Sequence, residues 1–203
     1  MTSLSRRAFA TAAMASLLVG CGGHGAGRAT TGHPESTPPP SRPSAKTARA
    51  LGRSVPVRLL IPAIGVDTPV IRLGLAADGS VQVPPITAHD RAGWYGYSPT
   101  PGQIGPSVIL GHVTVGAYGD GVFRHLARLR RGDRIVARLG NGTAAEFVVN
   151  TVRTVAKADF PADAVYGDVD RPELRLITCG GPRTGDGYPD NVIVFAELSS
   201  ASP

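Results

Sequence analysis

Few side chains in this chain could do chemistry. Of its 203 residues two are cysteines, Cys21 and Cys179, and five are histidines. Cys179 follows the apolar pair Leu176-Ile177 and precedes Gly180-Gly181, so it stands at the end of a strand where the chain opens into a loop. Exposed reactive groups concentrate at such places. The thiol could serve there as a nucleophile, or be a small buried hydrophobe, a common state for free cysteine. With an intrinsic pKa of about 8.5 it needs a partner to act near neutral pH. His112 ends the run Ser107-Val108-Ile109-Leu110 after Gly111, a placement that mirrors that of Cys179. His89 falls in an expected loop, and His125 on an expected helix where packing or solvation is its ordinary role. The sequence separation leaves open whether His112 meets Cys179. No pair of carboxylates and no histidine cluster has metal-ligand spacing. Residues 119–121 lack the lysine and strand–helix setting of a phosphate loop. No metal and no cofactor is expected.

Cys21 belongs to a different kind of segment. Arg6-Arg7 precede an uncharged, Ala- and Leu-rich stretch over residues 8–20, the size of a signal h-region, and paired arginines there mark one bacterial export route. Leu18-Val19-Gly20-Cys21 resembles a lipobox, which implies a cysteine lipidated on its thiol and left as the new N-terminus. Residues 1–20 are thus expected to be an export signal. Residues 21–53 are expected to be a lipidated cysteine followed by a Pro/Ser/Gly-rich linker, too poor in apolar surface to offset the entropy of ordering. This disordered stalk contains His24 and His33. With Cys21 so used, Cys179 has no internal disulfide partner, and a free thiol outside the cytoplasm is an oxidation liability unless buried or useful.

The elements that would carry Cys179 and His112 lie in residues 54–203, a length suited to one domain. Strand patterns occupy residues 55–61, 81–83, 107–110, 134–139, 144–152, 174–178 and 191–196, and Gly140-Asn141-Gly142 reads as a hairpin turn. Only residues 121–129 and 162–165 read as helical, and both are short. Seven or eight short strands with glycine and proline between them point to an all-β domain, a closed barrel or a sandwich. The 26 glycines and 18 prolines fit many turns and weigh against a helical bundle. No apolar run reaches the roughly 20 residues of a spanning helix.

The net charge of +6 is unevenly divided. Residues 1–53 carry seven Lys and Arg against Glu35 alone, whereas residues 54–203 carry fourteen basic and fourteen acidic residues. A neutral domain argues against a nucleic-acid partner.

Leu174-Arg175-Leu176-Ile177-Thr178-Cys179 resembles the signature around the nucleophile of the sortases, with Leu176 where many members have a first threonine. Ser107-Val108-Ile109-Leu110-Gly111-His112 resembles the strand that carries the sortase histidine. Ile61-Pro62-Ala63-Ile64-Gly65-Val66, Gly93-Trp94-Tyr95, Cys179-Gly180-Gly181 and Asp190-Asn191-Val192-Ile193-Val194 extend the likeness over residues 55–198, and the last two are most like actinobacterial class F sortases. The resemblance implies an eight-stranded barrel in which Cys179 attacks the Thr carbonyl of an LPXTG-like sorting signal and forms a thioacyl enzyme. His112 then exchanges the protons with the leaving and incoming amines. It implies as partners sorting-signal proteins and an amine acceptor such as a peptidoglycan precursor, at the outer face of the cytoplasmic membrane. Sortases also use an arginine near the substrate carbonyl, commonly just before the last strand, where this chain has Tyr188-Pro189-Asp190-Asn191. Arg183 is the arginine that corresponds best, in a shortened loop, and Thr178 is expected to line the site. Trp94 reads as core, and Tyr118 and Tyr188 fall in loops that could border a groove. Two other classes fit the same residues: a non-catalytic barrel lipoprotein that binds a wall component, and a thiol peptidase that hydrolyses its acyl enzyme. The lipid anchor departs from the transmembrane helix usual in sortases.

Overall fold

Eight strands form, and each pairs with two others. In the computed structural model, which describes residues 48–203 except Asp186, these are β1 (Pro56–Ile61), β2 (Val66–Leu73), β3 (Ala92–Tyr95), β4 (Gly105–Leu110), β5 (Arg134–Leu139), β6 (Ala144–Ala156), β7 (Pro172–Gly180) and β8 (Asp190–Ser202). They hydrogen-bond in the order β1-β2-β3-β4-β7-β8-β6-β5, and β5 returns to β1, which closes the expected barrel. The β2–β3 and β4–β7 pairs are parallel and the others antiparallel. One short helix, α1 (Ala162–Tyr166), stands where residues 162–165 read as helical. Among the described residues no helix is long and apolar enough to cross a membrane. The expected export signal, Cys21 and most of the linker lie outside the described residues. The described chain before β1 is packed on the barrel: Leu51 N donates to the Gly102 carbonyl at 2.8 Å and its side chain meets the core.

Strand alternation divides the sheet into two faces. Ile109, Leu174, Leu176, Val192 and Val194 point inward with Trp94, Phe123 and Phe147, all nearly inaccessible to solvent. On the outer face Val108, Leu110, Ile177 and Ile193 form a second apolar cluster, covered by Val165 of α1 and by Phe160 and Val81. A strand buried on both faces reads as a continuous apolar run, which is how β4 and β7 appear in the sequence.

Three expectations about elements change. Residues 81–83 form a single bridge, Leu75↔Val81, and no strand; Pro84-Pro85 follow at once and have no N–H for a ladder. β2 forms although Pro69 interrupts its pattern, because residues 66–69 pair with β1 and residues 70–73 with β3, so the proline falls at the change of partner. Residues 121–129 are turns ending in one 3-10 turn (Leu126–Arg128). Phe123, Leu126 and Leu129 are buried at intervals of three, the 3-10 period and not the α-helical one.

Candidate active site

Two parallel strands bring the histidine segment to the cysteine. β4 and β7 pair in register from Gly105↔Pro172 to Leu110↔Ile177. The ladder runs one residue further, where Gly111 N donates to the Ile177 carbonyl at 3.1 Å and Thr178 Oγ1 donates to the Gly111 carbonyl at 2.8 Å. Gly111 is therefore opposite Thr178, and His112 follows it one residue beyond the paired part of the strand. On the other side of β7, Cys179 is paired with Asn191 of β8. Same-register residues on strands about 4.8 Å apart share a face, so Cys179 and Asn191 form one row on the sheet. The row continues the outer face of Val108, Leu110, Ile177 and Ile193. His112, Cys179 and Asn191 are each half-buried.

The chain around His112 is held from several directions. Its Nε2 lies 2.6 Å from the carbonyl of buried Pro84. A carbonyl only accepts, so Nε2 carries the hydrogen and Nδ1 is left to exchange a proton. The His112 carbonyl accepts from Phe123 N at 2.9 Å, and Gly121 N donates to the Val113 carbonyl at 2.8 Å. Gly121 approaches so closely that a Cβ on it would lie 2.3 Å from the His112 carbonyl oxygen.

Around Cys179 the chain is as constrained. Thr178 is 4% exposed and its hydroxyl is committed to Gly111, so its expected place beside the site is filled by a residue that holds the two strands together. Gly181 has a φ of +81°, and a Cβ there would lie 2.5 Å from the Asp190 carboxylate, which explains why glycine follows the cysteine motif. Cys179 borders a cavity of about 190 Å³ with Thr178, Gly180, Tyr188 and Arg124. His112 borders a separate depression of about 290 Å³ lined mainly by apolar groups, among them Ile86, Val115 and Tyr118. Thr114 and Tyr188 join across this region, their hydroxyl oxygens 2.8 Å apart. Arg183 is exposed in the β7–β8 loop and borders neither cavity.

Some residues here carry no signal in the sequence. Pro84 and Arg124 reach the site from other segments of the chain and Thr114 stands two residues after His112, whereas Tyr118 and Tyr188 lie in loops expected to border a groove. Trp94 is core, 1% exposed, with Nε1 donating to the Pro99 carbonyl at 3.2 Å. Among the described residues no group of three or more His, Cys, Asp or Glu side chains is placed to hold a metal ion.

The family model described as the sortase domain matches residues 59–199. Among solved structures the chain is similar to sortase C-1 of Actinomyces oris, at 22% identity and a TM-score of 0.54 over 70% of this chain and 72% of that one. It is similar to a lid mutant of sortase A from Corynebacterium diphtheriae at 20% identity and a TM-score of 0.55, over 73% and 72% of the two chains. Sortase A of Listeria monocytogenes matches at 17% identity and a TM-score of 0.55, over 73% of this chain and 90% of that one. No curated protein sequence matches the chain.

Proposed function

The chain belongs to the sortase family of cysteine transpeptidases, and we propose that it cleaves an LPXTG-like sorting signal and transfers the acyl part to an amine, attaching proteins to the cell wall. We assign it to the branch most like the actinobacterial class F enzymes, on the Cys179-Gly180-Gly181 and Asp190-Asn191 motifs. Its acceptor is an amine such as that of a peptidoglycan precursor. Residues 1–20 act as the export signal, residues 21–53 as lipidated Cys21 and linker, and residues 54–203 as the catalytic domain, held at the outer face of the membrane by the lipid.

The observation that supports this reading is the β4–β7 ladder, which runs the end of β4, two residues before His112, alongside the end of β7 that carries Cys179. In the proposed reaction Cys179 Sγ, as thiolate, bonds to the threonine carbonyl carbon and the carbonyl π pair moves onto oxygen. The oxyanion collapses, the C–N bond breaks, and protonated His112 gives its proton to the departing amine, which leaves a thioester. An incoming amine attacks the thioester, neutral His112 takes its proton, and the thiolate leaves as the new amide forms. The Pro84 carbonyl holds the Nε2 hydrogen and so directs Nδ1 to this traffic. Arg183 approaches the substrate carbonyl from the β7–β8 loop, and Thr178 fixes the height of Cys179 against Gly111. The apolar depression beside His112, with Ile86 and Tyr118, suits an aliphatic residue of the peptide.

The test uses residues 48–203 with an LPXTG-type peptide, with and without an amine, followed by intact mass. The expected result is a thioacyl adduct on Cys179 that passes to the amine, and no adduct or turnover in Cys179→Ala or His112→Ala with unchanged thermal melting. Full turnover by Cys179→Ala would sink the reading. An adduct resolved by water alone would make the protein a thiol peptidase.

A further inference from the structure

The strand beside the thiol sets a second side chain opposite it, and its chemistry is that of a neutral hydrogen-bond donor. Asn191 is the register partner of Cys179, in a pairing that runs unbroken from Glu173↔Glu197 to Gly180↔Asp190. Directly opposed side chains in an antiparallel pair have Cβ atoms about 4.5–5.5 Å apart on one face. Their identity as a pair does not depend on the loop between them, because both are inside strands. Asn191 is half-buried like Cys179. Arg183, by contrast, is exposed and sits in the loop, outside the strand pair that carries Cys179.

We propose that Asn191, through its Nδ2 hydrogens, is the sheet-borne donor that stabilises the oxyanion formed when Cys179 attacks the substrate carbonyl. This rests on the transpeptidase reading above. When Sγ bonds to the carbonyl carbon, the π pair becomes a full charge on oxygen. A donor already held at that side of the sulfur needs no reorganisation to meet it. Asn191 supplies such a donor without a charge, and it neither gains nor loses a proton: it binds the oxyanion from formation of the C–S bond until the C–N bond breaks and the carbonyl re-forms in the thioester. An amide cannot take on the general acid role, so the proton traffic stays with His112. The charged donor of the loop adds to this fixed one and does not replace it.

Two acyl donors separate this inference from the reading it rests on. One is the LPXTG-type peptide; the other is p-nitrophenyl acetate, an activated ester whose reaction with Cys179 needs no recognition of a sorting signal. Asn191→Ala is expected to lower kcat for the peptide about 100-fold with KM little changed, and to slow acylation by the ester at least about tenfold by the same loss of a donor. Arg183→Ala is expected to lose less kcat than Asn191→Ala. Should the alanine variant lower the melting temperature, the isosteric Asn191→Asp carries the test, since it keeps the shape and replaces the donor by an acceptor. Wild-type kcat in Asn191→Asp, or a larger kcat loss in Arg183→Ala than in Asn191→Ala, overturns the assignment while an inactive Cys179→Ala leaves the transpeptidase reading standing. Ester turnover undiminished in Cys179→Ala would instead bring down the reading itself.

Discussion

The thiol and imidazole of this site depend on neighbours that do no chemistry. Thr178 is the plainest case: a buried hydroxyl spent on the Gly111 carbonyl at 2.8 Å, one residue before each of the two reactive side chains. Thr178→Val keeps the shape and removes the donor, which leaves that carbonyl buried and unpaired. We expect it to cost about 1–3 kcal/mol of stability, measured by denaturant unfolding, and to lower kcat more than it raises KM because His112 and Cys179 lose their common height. Unchanged stability and kcat would mean that backbone bonds alone set the register. Cys179 and His112 were legible as candidates because each follows an apolar run and adjoins glycine. Asn191 was not, since an asparagine that opens the strand pattern 191–196 shows no role until its strand partner is known. Tyr188 stood in an uncommitted loop, and what gives it a direction is a hydrogen bond to Thr114 far away in the chain.

At the scale of elements, the segment 121–124 acts as a brace behind the histidine. Gly121→Ala would drive a methyl into the His112 backbone, where the nearest atom is a carbonyl oxygen that cannot rotate away. Displacement of a reacting group by about 1 Å costs on the order of 100-fold in rate. We therefore expect a kcat loss of that order with small change in peptide binding, checked by steady-state kinetics alongside isothermal binding to Cys179→Ala carrying the same change. Far from the site, Arg58 of β1 donates from Nε to Asp67 of β2 at 2.5 Å. That hydrogen bond is the largest cause holding the Asp67 carboxyl below its ordinary value. A carboxyl depressed in the folded state adds stability above its unfolded pKa, about 4, and loses it as pH falls through the folded value. Asp67→Asn should thus lower the melting temperature at neutral pH, by little since the pair is half-exposed, and the difference should fade on acidification. A difference that persists in acid would assign the effect to packing. Arg175 shows what a strand pattern misses: it reads as a solvent-facing position, yet it is 3% exposed, paired with buried Glu173 and stacked 4.6 Å from the Phe195 ring. It is buried because α1 lies over that face, and its Nε donates to the Ala164 carbonyl at 3.3 Å.

For the whole molecule, alternation and length together specified an all-β domain, and the order of motifs along residues 55–198 resembled one family. Those properties are local: a β-branched run, a glycine turn or a Thr-Cys pair is readable wherever its partner lies. The same locality explains the errors at residues 81–83 and 121–129, where short apolar patterns were resolved by what packs against them. Closure of the barrel is of another kind. It needs β5 to return to β1 and two parallel pairings, β2–β3 and β4–β7, between strands joined by long connections. No residue type announces such a partner. By itself the sequence determined which side chains could be a nucleophile and its base, and that strand ends would carry them. Only the tertiary structure decided that the two strand ends are neighbours, in step, with Asn191 on the far side and Arg183 outside the row. The reason is that strand pairing is a contact between distant segments, chosen by the packing of the whole core and not by the pattern of any one strand.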